Sequence, residues 1–442
     1  MPPDTMEKAA EAAPLRLSSR EQLAHLLAEA AELEHNLLCC YLYAAFSLKT
    51  PDQGGVAAAD ARRVEKWRAS IMQVAMEEMT HLALIANLSV AIGVRPHFNR
   101  PNLPVAPLYH PADIVVELAP FSLDTLDHFI YLERPEGSDL PDGQSFARRR
   151  ENYQRGDRPG ASLMPSAMDY ATIGEFYAHL RACFIDLANA AGESLFCGDP
   201  SMQVGPDKLD LPGMATIAQL DDALAALDTI VTQGEGGCAA EESHFARFMQ
   251  IRDELAELQA RGNAAAPAWP AARNPLMRKP ADPASGVHVT APAAAAVLDL
   301  GNAVYALTLR LLAQAWGGPG GERHQARPAA ALQAAMQLMR VLGGIGQHLC
   351  SLPARPDLAD VHAGLTFAVP RATEPLVAAA ETLWIGERLA ELLVGLKLVA
   401  RVEAPLQCLV PQLQAIARRY ATASPPLQAA GKASTAAPAA PG

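Results

Sequence analysis

The stretch Val74-Ala75-Met76-Glu77-Glu78-Met79-Thr80-His81-Leu82-Ala83-Leu84-Ile85 decides how the chain is read. It is an apolar helical pattern carrying a carboxylate and an imidazole three residues apart, Glu78 and His81. Positions i and i+3 share a helix face, and Val74, Leu82 and Ile85 lie on that face too. A carboxylate among apolar neighbours is costly unless it is paired or ligates a metal. The same Glu-x-x-His spacing recurs at Glu241 and His244, in AAEESHFARF over residues 239–248.

Working outward, two further helical stretches supply single acids. Glu34 lies in LAEAAELEHNLLCCYLYAAFSL with Leu27, Ala31, Leu38 and Tyr41 on its face, and Glu175 lies in TIGEFYAHL. Two Glu from two helices plus two Glu-x-x-His pairs from two others form the ligand set of a carboxylate-bridged di-iron or di-manganese centre. Bridging carboxylates offset the repulsion between two close divalent ions, and neutral imidazoles complete each ion while leaving positions open. The candidate metal ligands are therefore Glu34, Glu78, His81, Glu175, Glu241 and His244. Glu235, at a glycine-marked break in Gln233-Gly234-Glu235-Gly236, is a further candidate. Glu32 and Glu77 compete with Glu34 and Glu78 should the helix faces differ. His35 reads as structural, His179 as a partner or extra ligand, and Tyr41 and Tyr43 as core. The bland alternative is that all these acids are solvated helix charges.

The surrounding pattern is helical throughout. Helices are expected near 18–48, 57–92, 172–196 and 217–260, the last interrupted by Gly234, Gly236 and Gly237. The second ends at Gly93 with Pro96 beyond, a normal stop. Between the second and third runs a long Pro- and Gly-rich connection, roughly 94–171, with a short helix near 123–132. Ordinary bundle loops are about 2–8 residues, so this length implies a crossover, as in ferritin-like topology. The fold expected is all-α: a ferritin-like four-helix bundle with a long crossover, plus a second all-helical domain. The division reads 1–17 as a leader, 18–260 as the metal-binding bundle and 261–290 as a linker. It continues with 291–421 as a helical C-terminal domain and 422–442 as a disordered tail. His348, His362 and Glu387 are scattered, so the second half reads as structural or oligomer-forming.

Composition narrows the function classes. The chain has 442 residues and a net charge of −12, with 50% hydrophobic and 5% aromatic residues. An acidic chain without a dense Lys/Arg run is a poor nucleic-acid binder. The seven cysteines form no C-x-x-C pair, which fits reduced thiols in a cytoplasmic protein. The N-terminal stretch lacks the apolar core of a signal peptide, and no uninterrupted apolar run of about 18 residues predicts a membrane span. No C-x-x-C-H motif points to haem.

At these residues the chain resembles a known family. LEHNLLCCYLYAAFSL, VAMEEMTHLALIANLSVAIGVRP, FIYLERPE, TIGEFYAHL, GDPSMQV, TQGEGG and ESHFARF are similar to the ferritin-like domain family named after iminophenyl-pyruvate dimer synthase, a violacein-pathway enzyme with relatives in indolocarbazole biosynthesis. The likeness spans roughly 18–255. It implies a ferritin-like fold and iron-dependent oxidative chemistry on amino-acid-derived substrates, such as coupling of two imino acids in secondary metabolism. The chain is much shorter than the named enzymes. The function expected is a non-haem di-iron oxidase or oxygenase, with two irons (manganese as the alternative ion), dioxygen and a small organic substrate as partners. No nucleic acid or membrane is expected, and a homo-oligomer is compatible. A ferroxidase or a helical scaffold with a degenerate site are the alternatives.

Overall fold

The computed structural model describes residues 19–53, 58–106, 109–111, 113–147, 164–165, 169–235, 242–261, 266–317, 326–371 and 373–423. The first helix, α1 (Arg20–Ser47), starts at Ser19, whose hydroxyl accepts the Gln22 N–H at 3.0 Å. A serine hydroxyl in this position satisfies one of the unpaired N–H groups of the first turn. From Leu33 to Tyr41 every residue of α1 is buried. A helix apolar all round must be covered on all sides, and α1 is the axis on which both halves pack.

α2 (Ala58–Ala91) runs alongside α1 and stops at Gly93, which adopts φ 83°. The crossover contributes α3 (Leu123–Leu132) and a short α4 (Gln144–Ala147). Next come α5 (Ile173–Ala191), α6 (Leu220–Gly234) and α7 (His244–Ala260). The glycine break thus divides the fourth helical region into two helices. α3 packs on α7, α5 packs on α6 and α1, and α2 touches both α6 and α7. The buried acids and imidazoles come from α1, α2, the end of α3 and the start of α7. α5 and α6 pack against α1 and α2 and close the same site from the other side.

The second half holds α8 (Pro292–Trp316), α9 (Ala326–Leu349), α10 (Ala378–Val399) and α11 (Leu409–Ala423). α8 and α9 pack along their lengths, and α9 also touches α1. α8 is long and apolar enough to cross a membrane by length and composition, but 67% of its most apolar window is buried inside the fold. Two small two-stranded sheets complete the described structure. One pairs β1 (Pro275–Leu276) with β2 (Val287–His288) in parallel, and the other pairs β3 (Pro353–Arg355) with β4 (Leu358–His362) antiparallel.

The stretch read as a linker is packed in its described part. Trp269 donates its N–H to Ser47 O at 2.8 Å, and Asn274 and Leu118 exchange hydrogen bonds at 2.9 and 3.0 Å. One hydrophobic core runs without interruption from Leu23 in α1 to Tyr420 in α11. The expected leader and most of the expected tail lie outside the described residues.

Candidate metal centre

Glu34 of α1, Glu78 and His81 of α2, Glu133 at the end of α3 and His244 at the start of α7 converge in the interior. They form two overlapping ligand groups, Glu34–Glu78–His81 and Glu78–Glu133–His244, with donor atoms in each lying within 4.8 Å of one another. All five are essentially buried. Glu78 belongs to both groups, the position of a bridge. The two imidazole rings sit 5.5 Å apart and 29° from parallel, one on each side.

Each histidine turns one nitrogen inward and has the other fixed from behind. His81 Nδ1 lies 3.1 Å from Glu34 and 3.2 Å from Glu78, while Nε2–H donates to Gln233 Oε1 at 2.9 Å. His244 Nε2 lies 3.0 Å from Glu77, and Arg247 holds that carboxylate with bonds of 3.0 and 2.9 Å. Such partners behind a ligating imidazole set its tautomer and orientation. His244 Nδ1 lies 3.0 Å from Glu78 and 3.6 Å from Glu133 yet makes no hydrogen bond. A buried nitrogen aimed between two carboxylates without a hydrogen bond suits a cation placed among the three. Two tyrosines complete the shell: Tyr41 donates to Glu133 and Tyr177 donates to Glu34.

The electrostatics carry the mark of excess negative charge. Burial first, and the facing Glu78 carboxylate next, push Glu34 up to about 8. Glu78 is held well below the usual carboxylate range because Glu34, His244 and His81 together outweigh its burial. Burial opposes charge on His81, but Glu34 and Glu78 overcome it and lift the ring to about 10. His244 is raised likewise, with Glu133, Glu77 and Glu78 outweighing burial. Among the described residues no Lys or Arg pairs with Glu34, Glu78 or Glu133, so without a metal only protons neutralise the cluster. The donor set therefore fits a pair of divalent cations.

The other expected residues fall as follows. Glu175 is exposed in the first turn of α5, where its carboxylate accepts the Ala171 N–H at 2.7 Å. The structure does not bring it to the cluster, because α5 presents Phe176 and Tyr177 inward and leaves Glu175 to the helix N-terminus. The place expected for it is taken by Glu133, at the C-terminal end of α3. Local sequence does not single out Glu133, because α3 sits inside what reads as a connection. The available signal was an acid closing the apolar run Phe129-Ile130-Tyr131-Leu132. Glu235 lines a cavity of about 20 Å³ together with Glu34, Glu78, His81, Glu133 and Tyr177. Its carboxylate accepts the Gly174 N–H at 2.6 Å, and burial pushes its pKa up to about 7. Glu241 lies outside the described residues. Of the competitors, Glu77 holds His244, Glu32 bonds His97 and Tyr109 at the surface, and His35 faces Tyr305. His179 is half-buried outside the cluster. Tyr43 is core, donating to Ala272 O.

The chain is 29% identical over 332 residues to the 2-imino-3-(indol-3-yl)propanoate dimerase of Chromobacterium violaceum, covering 69% of this chain and 30% of that protein. It is 27% identical over 341 residues to the dichlorochromopyrrolate synthase of Lentzea aerocolonigenes, covering 68% and 32%. The chain thus spans about a third of the length of these curated relatives. A crystal structure of a ferritin-like protein from Caulobacter vibrioides is similar at 22% identity and a TM-score of 0.44, covering 76% of this chain and 96% of that one. A family profile described as ferritin-like matches residues 27–253. With that match spanning the helices that gather the acids, the chain belongs to the ferritin-like family.

Proposed function

We propose that this protein is a di-iron oxidase acting on a small, amino-acid-derived substrate such as an imino acid, in secondary metabolism. The observation that carries the reading is the convergence of three buried carboxylates and two inward-facing imidazoles, unmatched by Lys or Arg among the described residues. Manganese fits the same oxygen and nitrogen donors. The names of two relatives support the substrate class: one dimerises a 2-imino acid carrying an indole, the other is a synthase.

Glu34 and His81 would hold one ion, Glu133 and His244 the other, with Glu78 between them. Glu241 would complete the second Glu-x-x-His pair. Bound iron would supply one-electron oxidation and the reduction of dioxygen. The chain's own residues set the conditions for that chemistry. Gln233 and Glu77 keep the Nε2 atoms occupied, so each Nδ1 faces the acids. Tyr177 and Tyr41 hold protons against Glu34 and Glu133, damping their charge. Phe129 and Phe248 pack on the Tyr41 ring at 4.7 and 5.0 Å and keep water from that side. Glu235, with its raised pKa beside the cavity, is placed to hold or release a proton near neutrality.

The test is anaerobic loading of the metal-free protein with ferrous iron, followed by admission of oxygen under optical monitoring. About two irons per chain and oxygen-dependent spectral change are expected. Mineral growth to many irons would indicate iron storage, and no uptake above background would remove both metal readings. His81→Ala and His244→Ala should each lose iron while staying helical by circular dichroism. Full occupancy in either variant would remove that residue from the ligand set.

A further inference from the structure

A second cavity, of about 450 Å³, lies between the α1–α2 pair and the α8–α9 pair. Protein interiors seldom leave voids larger than a water molecule, whereas small-molecule sites occupy about 300–1,000 Å³. Glu34, Glu78, His81, Glu133 and His244 do not line it. On α1 it is lined by His35, Leu38, Cys39 and Leu42, and on α2 by Met72, Ala75, Met76 and Met79. At 100° per residue, these positions centre about a quarter-turn round each helix from Glu34 and Glu78. The cavity is a site separate from the metal centre.

Its chemistry is specific. Five of the chain's 13 methionines, Met72, Met76, Met79, Met336 and Met339, line it. Methionine is flexible and polarisable, and it adapts to varied apolar shapes and to aromatic faces. Most polar groups of the inner wall are already engaged, His35 Nδ1 being a buried nitrogen without a hydrogen bond. Tyr305 Oη lies 2.6 Å from His35 Nε2 and accepts from Arg100 at 3.1 Å, and Arg100 also reaches Cys39 Sγ at 3.5 Å. Thr308 donates to Val304 O at 2.9 Å. Burial holds the His35 ring well below the usual imidazole range and so uncharged, and no other described residue at the inner end of the lining carries a permanent charge. Among the described residues of the lining Arg340 is the one with a permanent charge, and it is exposed, which places it at the opening.

We propose that this cavity binds an amphiphilic monocarboxylate, its aryl or alkyl body among the methionines and its carboxylate outward at Arg340. Body and head are read from independent features, the apolar lining and the Arg340 cation at the mouth. The site needs no metal, so its test is independent of the iron chemistry.

The experiment titrates the full chain with N-phenyl-1-naphthylamine, an uncharged dye that fluoresces in apolar surroundings. The dye is then displaced with 1-naphthaleneacetate or with its uncharged amide, which has the same body. One saturable dye site per chain is expected, with the acetate the stronger competitor. Met336→Trp, which fills the opening from α9, should weaken dye binding at least about tenfold with its helicity and iron content unchanged. Leu332→Phe, one turn away on the same wall, should do the same if the first variant folds poorly. Arg340→Glu, at an exposed position, should weaken the acetate about threefold or more, the range of an exposed ion pair, and leave the amide unaffected. Non-saturable dye binding, or binding that both filling variants leave intact, would overturn the site. Equal competition by acetate and amide in the wild type, or an Arg340→Glu variant with unchanged acetate binding, would overturn the assignment of the carboxylate to Arg340.

Discussion

At the scale of single residues, Glu133 and Glu175 show the difference between having a carboxylate and having it in place. Both belong to apolar helical stretches of the first half, Glu133 as the cap that ends α3, but only Glu133 is buried beside His244. Glu133→Ala should abolish iron binding at the His244 side. Glu175→Ala should keep full occupancy and cost about 0.5–1 kcal/mol through the lost hydrogen bond to Ala171 N–H. Iron content and denaturant melts of the two variants check this. Proton linkage gives a second expectation. Glu34 at about 8 and His81 at about 10 both lie above their ordinary values of 4.5 and 6.5. The folded state thus holds extra protons between those limits, and the stability they contribute is complete below each window and lost as pH rises through it. Melting temperatures of the metal-free protein should fall from pH 6 to 9, where the low values of Glu78 and Glu77 bring no opposing change. Divalent metal, replacing the protons, should flatten that slope. A metal-free protein equally stable at both ends would contradict the shared-proton account.

At the scale of elements, the centre depends on where helices start and stop. α7 begins at His244, with Ser243 capping it by accepting the Ala246 N–H at 3.2 Å. Ser243→Ala should cost about 1 kcal/mol and weaken iron binding at His244 more than at His81, read by stepwise iron titration. Gly174 belongs to the same class of constraint. A Cβ there would lie 2.3 Å from the Glu235 carboxylate oxygens, so Gly174→Ala should displace Glu235. The resulting overpacking should cost about 1–3 kcal/mol in a denaturant melt. The helices themselves were legible from apolar spacing and from the stop at Gly93. The faces of α5 were not, because Glu175 and Tyr177 sit two residues apart in one apolar run, on different sides of the helix. Only packing against α1 and α6 chose between them.

At the scale of the whole molecule, the two halves share one core, and Asn87 is a joint between them. Its side chain donates to Val204 O at 2.8 Å and Ala215 O at 2.7 Å. It accepts from Val204 N–H at 3.1 Å and from the Trp316 indole of α8 at 2.9 Å. Asn87→Ala would leave several buried groups unpaired, at about 3 kcal/mol. The continuous core predicts that the full chain unfolds in a single denaturant transition followed by circular dichroism and tryptophan fluorescence together. Two resolved transitions would show halves that fold separately.

The sequence by itself determined the helices, the crossover and the paired Glu-x-x-His spacing, because these follow from local periodicity and from the cost of burying charge. It also located four of the five converging residues: Glu34, Glu78, His81 and His244. What only the tertiary structure decided was the partner of His244, since Glu133 comes from a short helix within the crossover and gains its place by docking on α7. Tertiary structure alone also made α1 a shared axis and opened the methionine-lined cavity. Both depend on contacts between residues hundreds of positions apart, which no local spacing encodes.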